Sequence, residues 1–218
     1  MKEAESQMPA EAVHTRTTTV RGITIIPANE ASWEDLELVL GPVKCHSVRC
    51  YCQRFKIPSS QWSLVDDDER AYLLRIQTDC EKPESGTTSG LVAYIDQQPV
   101  GWCAIEPRTA YPNLMNSRMP WTGREEDKDD DGVWAITCFI VRTGYRKRGI
   151  TYELTRAAVE YAKQRGARAI EGYGMITTPG KEITWGELHV GSRNVFEAAG
   201  FRELTRPSKR RVVMRLDF

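Results

Sequence analysis

The stretch that most limits what this chain can become lies over residues 132–166. An apolar run from Val133 to Val141 leads into a short loop where Arg142, Arg146, Lys147 and Arg148 surround Gly144 and Gly149, and a helical pattern begins near Thr151. A strand, a basic glycine turn and a helix in that order make an anion site. The first turn of a helix leaves backbone N–H groups unpaired and carries the positive end of the macrodipole. A glycine at the turn lets a phosphate approach the backbone without a side chain in the way. Along the helix, Leu154, Ala157, Ala158, Tyr161 and Ala162 form one apolar stripe, with Glu153, Arg156, Glu160 and Lys163 outside it and Arg165-Gly166 closing it.

The turn Arg146-Lys147-Arg148-Gly149-Ile150-Thr151 resembles the R/Q-x-x-G-x-G/A acetyl-CoA signature of the GNAT superfamily of N-acetyltransferases. Further on, Phe196-Glu197-Ala198-Ala199-Gly200-Phe201 is similar to that family's Y-E-x-x-G-F segment. Two motifs in the family's order and spacing are more specific than either alone. Thr151 stands where the family has Gly or Ala, and Phe196 where it usually has the Tyr that protonates the departing thiolate. The resemblance implies an α/β (α+β) acyl-CoA N-acyltransferase fold, a mostly antiparallel mixed sheet splayed at the cofactor strand and flanked by helices. It implies acetyl-CoA as co-substrate, with the backbone of Phe139, Ile140 and Val141 beside the pantetheine arm. The N–H groups of Arg146, Lys147, Arg148, Gly149, Ile150 and Thr151 would then cradle the pyrophosphate.

The remaining chain fits one domain over residues 19–218 behind a polar, mobile tail at residues 1–18. Lys and Arg total 30 against 30 Asp and Glu, so no overall field favours nucleic acid or an anionic membrane. No apolar run approaches the ~18 residues of a membrane span, and no signal-peptide core is visible, so a cytoplasmic protein is expected. Six cysteines in such a chain read as reduced, packed thiols. Cys45, His46, Cys50 and Cys52 lie close in sequence, but their spacing matches no zinc motif and no metal is expected.

In order, the pattern predicts a strand over 22–27, a helix capped by Asn29 or Ser32, and a second helix over 66–78. Two strands follow, 91–95 and about 100–107, joined by residues 96–99. The charge run 124–131 reads as a solvated loop, with an acidic collar for a cationic acceptor as the alternative. A strand over 167–175 places Glu171 and Tyr173 on one side of the sheet. Residues 176–188 form a long loop of the kind that selects ligands, a last helix covers about 190–199, and 201–205 with 211–216 close the sheet.

Acetyl transfer from a thioester to an amine needs an unprotonated amine, donors for the developing oxyanion and a proton for the thiolate. Some family members carry a Glu base on the cofactor strand, and the matching position here is Ala135. Tyr173, Glu171, Glu187 and Glu106 are the titratable candidates. His189, seven residues before Phe196, would hold cofactor or relay a proton, unless it is a satisfied structural histidine. Trp102, Trp121, Trp134 and Trp185 are expected near the cleft, where aromatic faces hold a small amine. The implied function is acetyl-CoA-dependent transfer to the amine of a small molecule, as a monomer or homodimer. A non-catalytic acyl-CoA-binding module and an acetyltransferase of peptide or protein amines are the alternatives.

Overall fold

The computed structural model describes residues 18–20, 22–45, 48–178 and 180–218. The expected tail at residues 1–18 falls almost wholly outside them, as does His46 of the cysteine segment. The elements are β1 (Thr18–Val20), β2 (Ile23–Pro27), α1 (Trp33–Leu40), β3 (Lys44–Cys45), β4 (Val48–Arg49), α2 (Asp67–Thr78), β5 (Gly90–Ile95), β6 (Gln98–Pro107) and α3 (Pro112–Asn116). Then come β7 (Val133–Val141), α4 (Ile150–Gln164), β8 (Ala169–Gly172), α5 (Trp185–Leu188), α6 (Arg193–Glu197), β9 (Arg202–Thr205) and β10 (Val213–Asp217).

Local chemistry accounts for most boundaries. Ser32 caps α1 by accepting from the Asp35 N–H at 3.1 Å, and Asp66 caps α2 from the Glu69 N–H at 2.8 Å. Asp96 and Gln97, both at positive φ, make the two-residue turn between β5 and β6, shorter than the predicted link. Gly166, at φ 75°, ends α4.

Eight strands form one sheet in the order β1-β2-β5-β6-β7-β8-β10-β9. All neighbours are antiparallel except β7 and β8, whose parallel pairing runs from Val133↔Ala169 to Ile136↔Gly172 and then stops. A bulge in β7 leaves Thr137 without an opposite residue, because Ala104 pairs with Cys138 and Ile105 with Ile136. The bulge separates the side chains of β7 into two sets. Ile136 and Phe139 join the core beneath α4, with Ile150, Leu154, Ala158 and Phe196. Cys138 and Ile140 face α1 and α2, with Leu36, Leu40, Leu74 and Trp102. Each fully buried Ile or Leu contributes roughly 1.5–3 kcal/mol over leaving it in water, so both layers clamp β7.

Two predicted elements differ. The strand at 167–175 is only Ala169–Gly172, with Met175 bridging separately to Ser192 and Arg211. The helix at 190–199 shrinks to Arg193–Glu197, and a short helix appears inside the predicted loop at Trp185–Leu188. Gly174 and Gly191 explain why: both bring backbone against Phe196, and an added side chain at either would collide with a neighbour.

Candidate active site

The basic turn comes out as an open platform. Gly149 is the N-cap of α4 at φ 81°, a left-handed conformation that favours glycine, and nothing lies within 4 Å of where a Cβ would sit. Tyr152 and Glu153 donate back to the Gly149 carbonyl, so the amides ahead of them precede the helical ladder. Arg146, Lys147 and Arg148 are exposed around that end. Arg142 differs, since its Nη1 donates to the Pro99 carbonyl at 2.7 Å and its guanidinium lies 5.7 Å from the Tyr145 ring. It braces the turn, leaving the other three for the anion.

Where β7 parts from β8, the expected pantetheine edge is not wholly open. The Phe139 N–H donates to the His189 carbonyl at 2.6 Å, so the segment ahead of α6 occupies part of that edge. Of the three expected backbone positions, Phe139 therefore has its amide committed to the chain itself. His189 is mostly buried, its ring 6.3 Å from Phe55 and its Nδ1 2.9 Å from the Gly186 carbonyl. Burial pulls its pKa down to about 4, against the Gly186 contact, so the ring is neutral at ordinary pH.

On the α1/α2 side of the sheet, Tyr111, Leu114, Ala135, Tyr173 and Val213 pack into a small buried cluster with Phe55 against it. Ala135, the empty base position, pairs across the ladder with Glu106 of β6. Glu106 forms an ion pair with Lys56, whose ammonium also lies 5.5 Å from the Tyr111 ring. Burial pushes the Glu106 carboxyl above its ordinary value, with Lys56 and Tyr111 pulling the other way. A carboxylate poised like this is a better proton acceptor than an exposed one. Lys56 and Tyr111 were not legible as neighbours of Glu106, because no sequence spacing joins residues 56, 106 and 111. Beside Phe55, the residues Arg54, Ser59, Trp62, Asn113 and Asn116 line a cavity of about 500 Å³ with it.

The other expected groups settle differently. Glu171 and Tyr173 do meet, the Tyr173 hydroxyl donating to Glu171 Oε2 at 2.9 Å. Glu171, however, is fully buried among Arg108, Arg124 and Arg215, with Arg108 Nη1 at 3.5 Å and Arg215 Nη1 at 3.2 Å. The Glu171 carboxylate is thus engaged by three guanidiniums and by the Tyr173 hydroxyl. Glu126 joins the same network, 3.1 Å from Arg108 and 2.9 Å from Arg215. The charge run is thus not simply a solvated loop: Arg124 and Glu126 fold inward, and Asp127 and Lys128 carbonyls accept from Arg108. Burial and the adjacent Glu171 raise the Tyr173 phenol well above its ordinary value, so it stays protonated.

Glu187 accepts from the Thr184 N–H and hydroxyl and is paired with Arg210 at 2.9 Å. The Thr184 amide holds its pKa low, so it is a weak base. Residues of the 176–188 loop, Lys181 among them, border a separate cavity of about 500 Å³. Nor do the tryptophans converge. Trp102 is core beneath α1, Trp134 stacks edgewise on Tyr161 at 5.8 Å, and Trp121 is wrapped by Arg108, Arg124 and Lys128; the Trp185 side chain lies outside the described set. Phe196 is fully buried between Phe139 and Phe201, which makes it packing. Cys52 and Cys138 face one another in the α1/α2 core, and burial raises the Cys52 thiol. Among the described residues no group of His, Cys, Asp and Glu is placed to hold a metal, and no helix is long and apolar enough to cross a membrane.

A family model described as the acetyltransferase (GNAT) family matches residues 53–173, just over half of the chain. Among solved structures, one titled as an acetyltransferase is 18% identical with a TM-score of 0.52, covering 88% of this chain and 98% of that one. An N-acetyltransferase from Staphylococcus aureus Mu50 is 13% identical with a TM-score of 0.50, covering 89% and 98%. At such identities the likeness is one of fold. No curated protein sequence matches the chain.

Proposed function

The chain belongs to the GNAT family of acetyltransferases, and we propose that it moves the acetyl group of acetyl-CoA directly onto the amine of a small molecule. The family draws its acyl group from acyl-CoA, and the basic turn here fits that donor. The glycine cap of α4, its forward amides and three exposed cations suit a pyrophosphate. Bound there, acetyl-CoA supplies a thioester already activated for attack.

The observation that carries the reading is Glu106. It faces Ala135 across the β6–β7 ladder, it is buried enough to have a raised pKa, and Lys56 and Tyr111 hold it in place. Glu106 takes the proton from the incoming ammonium, leaving a neutral nitrogen to attack. Tyr173 is the proposed acid for the thiolate. Its phenol is protonated, because burial and Glu171 outweigh the opposing pull of Arg124 and Arg108. The cavity beside Phe55 is of a size that small ligands fill, which supports a small acceptor over a protein chain.

The test is CoA release from acetyl-CoA across a panel of small amines and peptides. The expected result is turnover with small amines and a Glu106→Gln variant slower in kcat by about 10²-fold at unchanged acetyl-CoA affinity. Saturable acetyl-CoA binding without turnover on any amine would assign a binding module instead. Efficient use of peptides alone would move the acceptor class.

A further inference from the structure

One lysine of this chain is drawn inward. Among the described residues every other lysine is exposed, whereas the Lys56 side chain keeps only 13% of its surface in water and its ammonium meets the Glu106 carboxylate. A lysine leaves solvent only where something holds it. Asn113 fixes the backbone on both sides of this one, its Nδ2 donating to the Arg54 carbonyl at 2.8 Å and to the Ile57 carbonyl. The Lys56 and Ile57 amides both donate to the Gln53 carbonyl, at 2.9 and 2.8 Å, which closes the turn. The Tyr111 ring lies 5.5 Å from the ammonium. Lys56 therefore meets the proposed base on a fixed backbone, and much of the entropy of bringing amine and base together is already lost in folding.

The opening of the sheet lies beside this pair. Back along β7 from the glycine turn, past the expected pantetheine edge, the strand reaches Thr137. There β7 and β8 have parted, after Ile136↔Gly172, and the bulge leaves Thr137 without an opposite residue. Thr137 is two residues from Ala135, at most about 7 Å along the strand. Glu106 is directly opposite Ala135 in the ladder, so their side chains share a face, the one on which Ala135 packs with Tyr111 and Tyr173. Base, proposed acid and sheet opening are thus neighbours. An amine from solution has to reach this position, whereas the Lys56 amine is already in it.

We propose that Lys56 is a self-acetylation site, its Nζ accepting the acetyl group within the same molecule when no other amine is present. One ammonium proton passes to Glu106, the freed nitrogen attacks the thioester carbon, and the C–S bond breaks as the C–N bond forms. The second proton lost by the nitrogen ends on the thiolate, which departs as the CoA thiol. The inference rests on the reading of Glu106 as the base, so label and turnover are measured separately. The purified chain is incubated with carbon-13-labelled acetyl-CoA and no added amine, and label at each lysine is read by peptide mass spectrometry. CoA release with small amines is assayed in parallel. Lys56 should take up label at least tenfold faster than exposed lysines such as Lys147 and Lys181, at a rate per molecule independent of protein concentration. Glu106→Gln should slow that labelling at least tenfold, and so should Gly149→Asp at subsaturating acetyl-CoA, so the test does not depend on one variant folding. Label confined to exposed lysines, or label at Lys56 that neither substitution slows, is chemical acetylation only and overturns the proposal, as does a rate that rises with protein concentration. Turnover of small amines with Lys56 unlabelled overturns it and leaves the transferase reading standing; absence of both overturns both. Label at Lys56 without small-amine turnover upholds the site and removes the small acceptor.

Discussion

Two arginine clusters in this molecule have opposite fates. Around Gly149, Arg146 and Arg148 stand in solvent, with nearby contacts to the Val141 carbonyl and the Tyr145 ring. Around Glu171, Arg108 and Arg124 are almost wholly buried and Arg215 nearly so, all turned onto two carboxylates. What separates them is whether the chain supplies its own anion. The first cluster is left with charge to offer a ligand. The second has spent its charge inside, tying the excursion between β6 and β7 to β8 and β10, and no ligand can enter it without breaking an ion pair.

The contrast breaks most visibly at Glu171. Glu171→Ala leaves three guanidiniums without their shared acid and should cost about 3–5 kcal/mol in urea unfolding, whereas Arg148→Ala should change stability by less than about 0.5 kcal/mol. Similar values for the two would mean that the buried network is no more structural than the exposed turn. Gly149→Asp tests the open cluster from the ligand's side. It puts a carboxylate and a strained backbone at the α4 N-cap, so acetyl-CoA affinity should fall at least tenfold by calorimetry, about 1.4 kcal/mol or more, in a protein that still folds. Retained affinity would remove the turn from the binding site.

Smaller effects come from pH, where His189 and Glu126 should give two separate windows. His189 is held neutral, with a folded pKa of about 4 against an ordinary 6.5. Between those values the unfolded chain binds the proton and the folded one does not, so stability falls as pH drops from 6.5 towards 4. A His189→Gln variant should flatten that stretch. Glu126 is affected by burial in the upward direction, but Arg124 and Arg108 outweigh it and bring its pKa down to about 2. Its contribution is complete above pH 4.5 and is lost as pH falls towards 2. A Glu126→Gln variant should leave the upper window unchanged and alter only the lower. One merged transition that ignores both substitutions would refute the division.

The anion turn was legible because its parts are neighbours in sequence: an apolar strand, a glycine able to take positive φ, and a helix whose stripe repeats every three or four residues. The capped helices α1 and α2 and the β5–β6 hairpin were legible for the same reason, since caps, turns and periodicity act over a few residues. Glu171 and Tyr173 were placed together correctly by strand alternation, but the three arginines around Glu171 were not, because alternation gives a side and not a partner. Arg108, Arg124 and Arg215 reach Glu171 from 63, 47 and 44 residues away.

Sequence alone thus determined the fold family and the glycine turn between β7 and α4, both consequences of short-range backbone geometry. Tertiary structure alone decided which charged groups are spent and which remain available. Whether a carboxylate is a base or a bolt depends on burial and on the cations brought to it, and those arrive only when distant segments fold onto one face of the sheet. Glu106 and Glu171 are the same kind of acid on adjoining parts of one sheet. One meets a single lysine and burial, the other three arginines, and the difference in their chemistry lies entirely in that company.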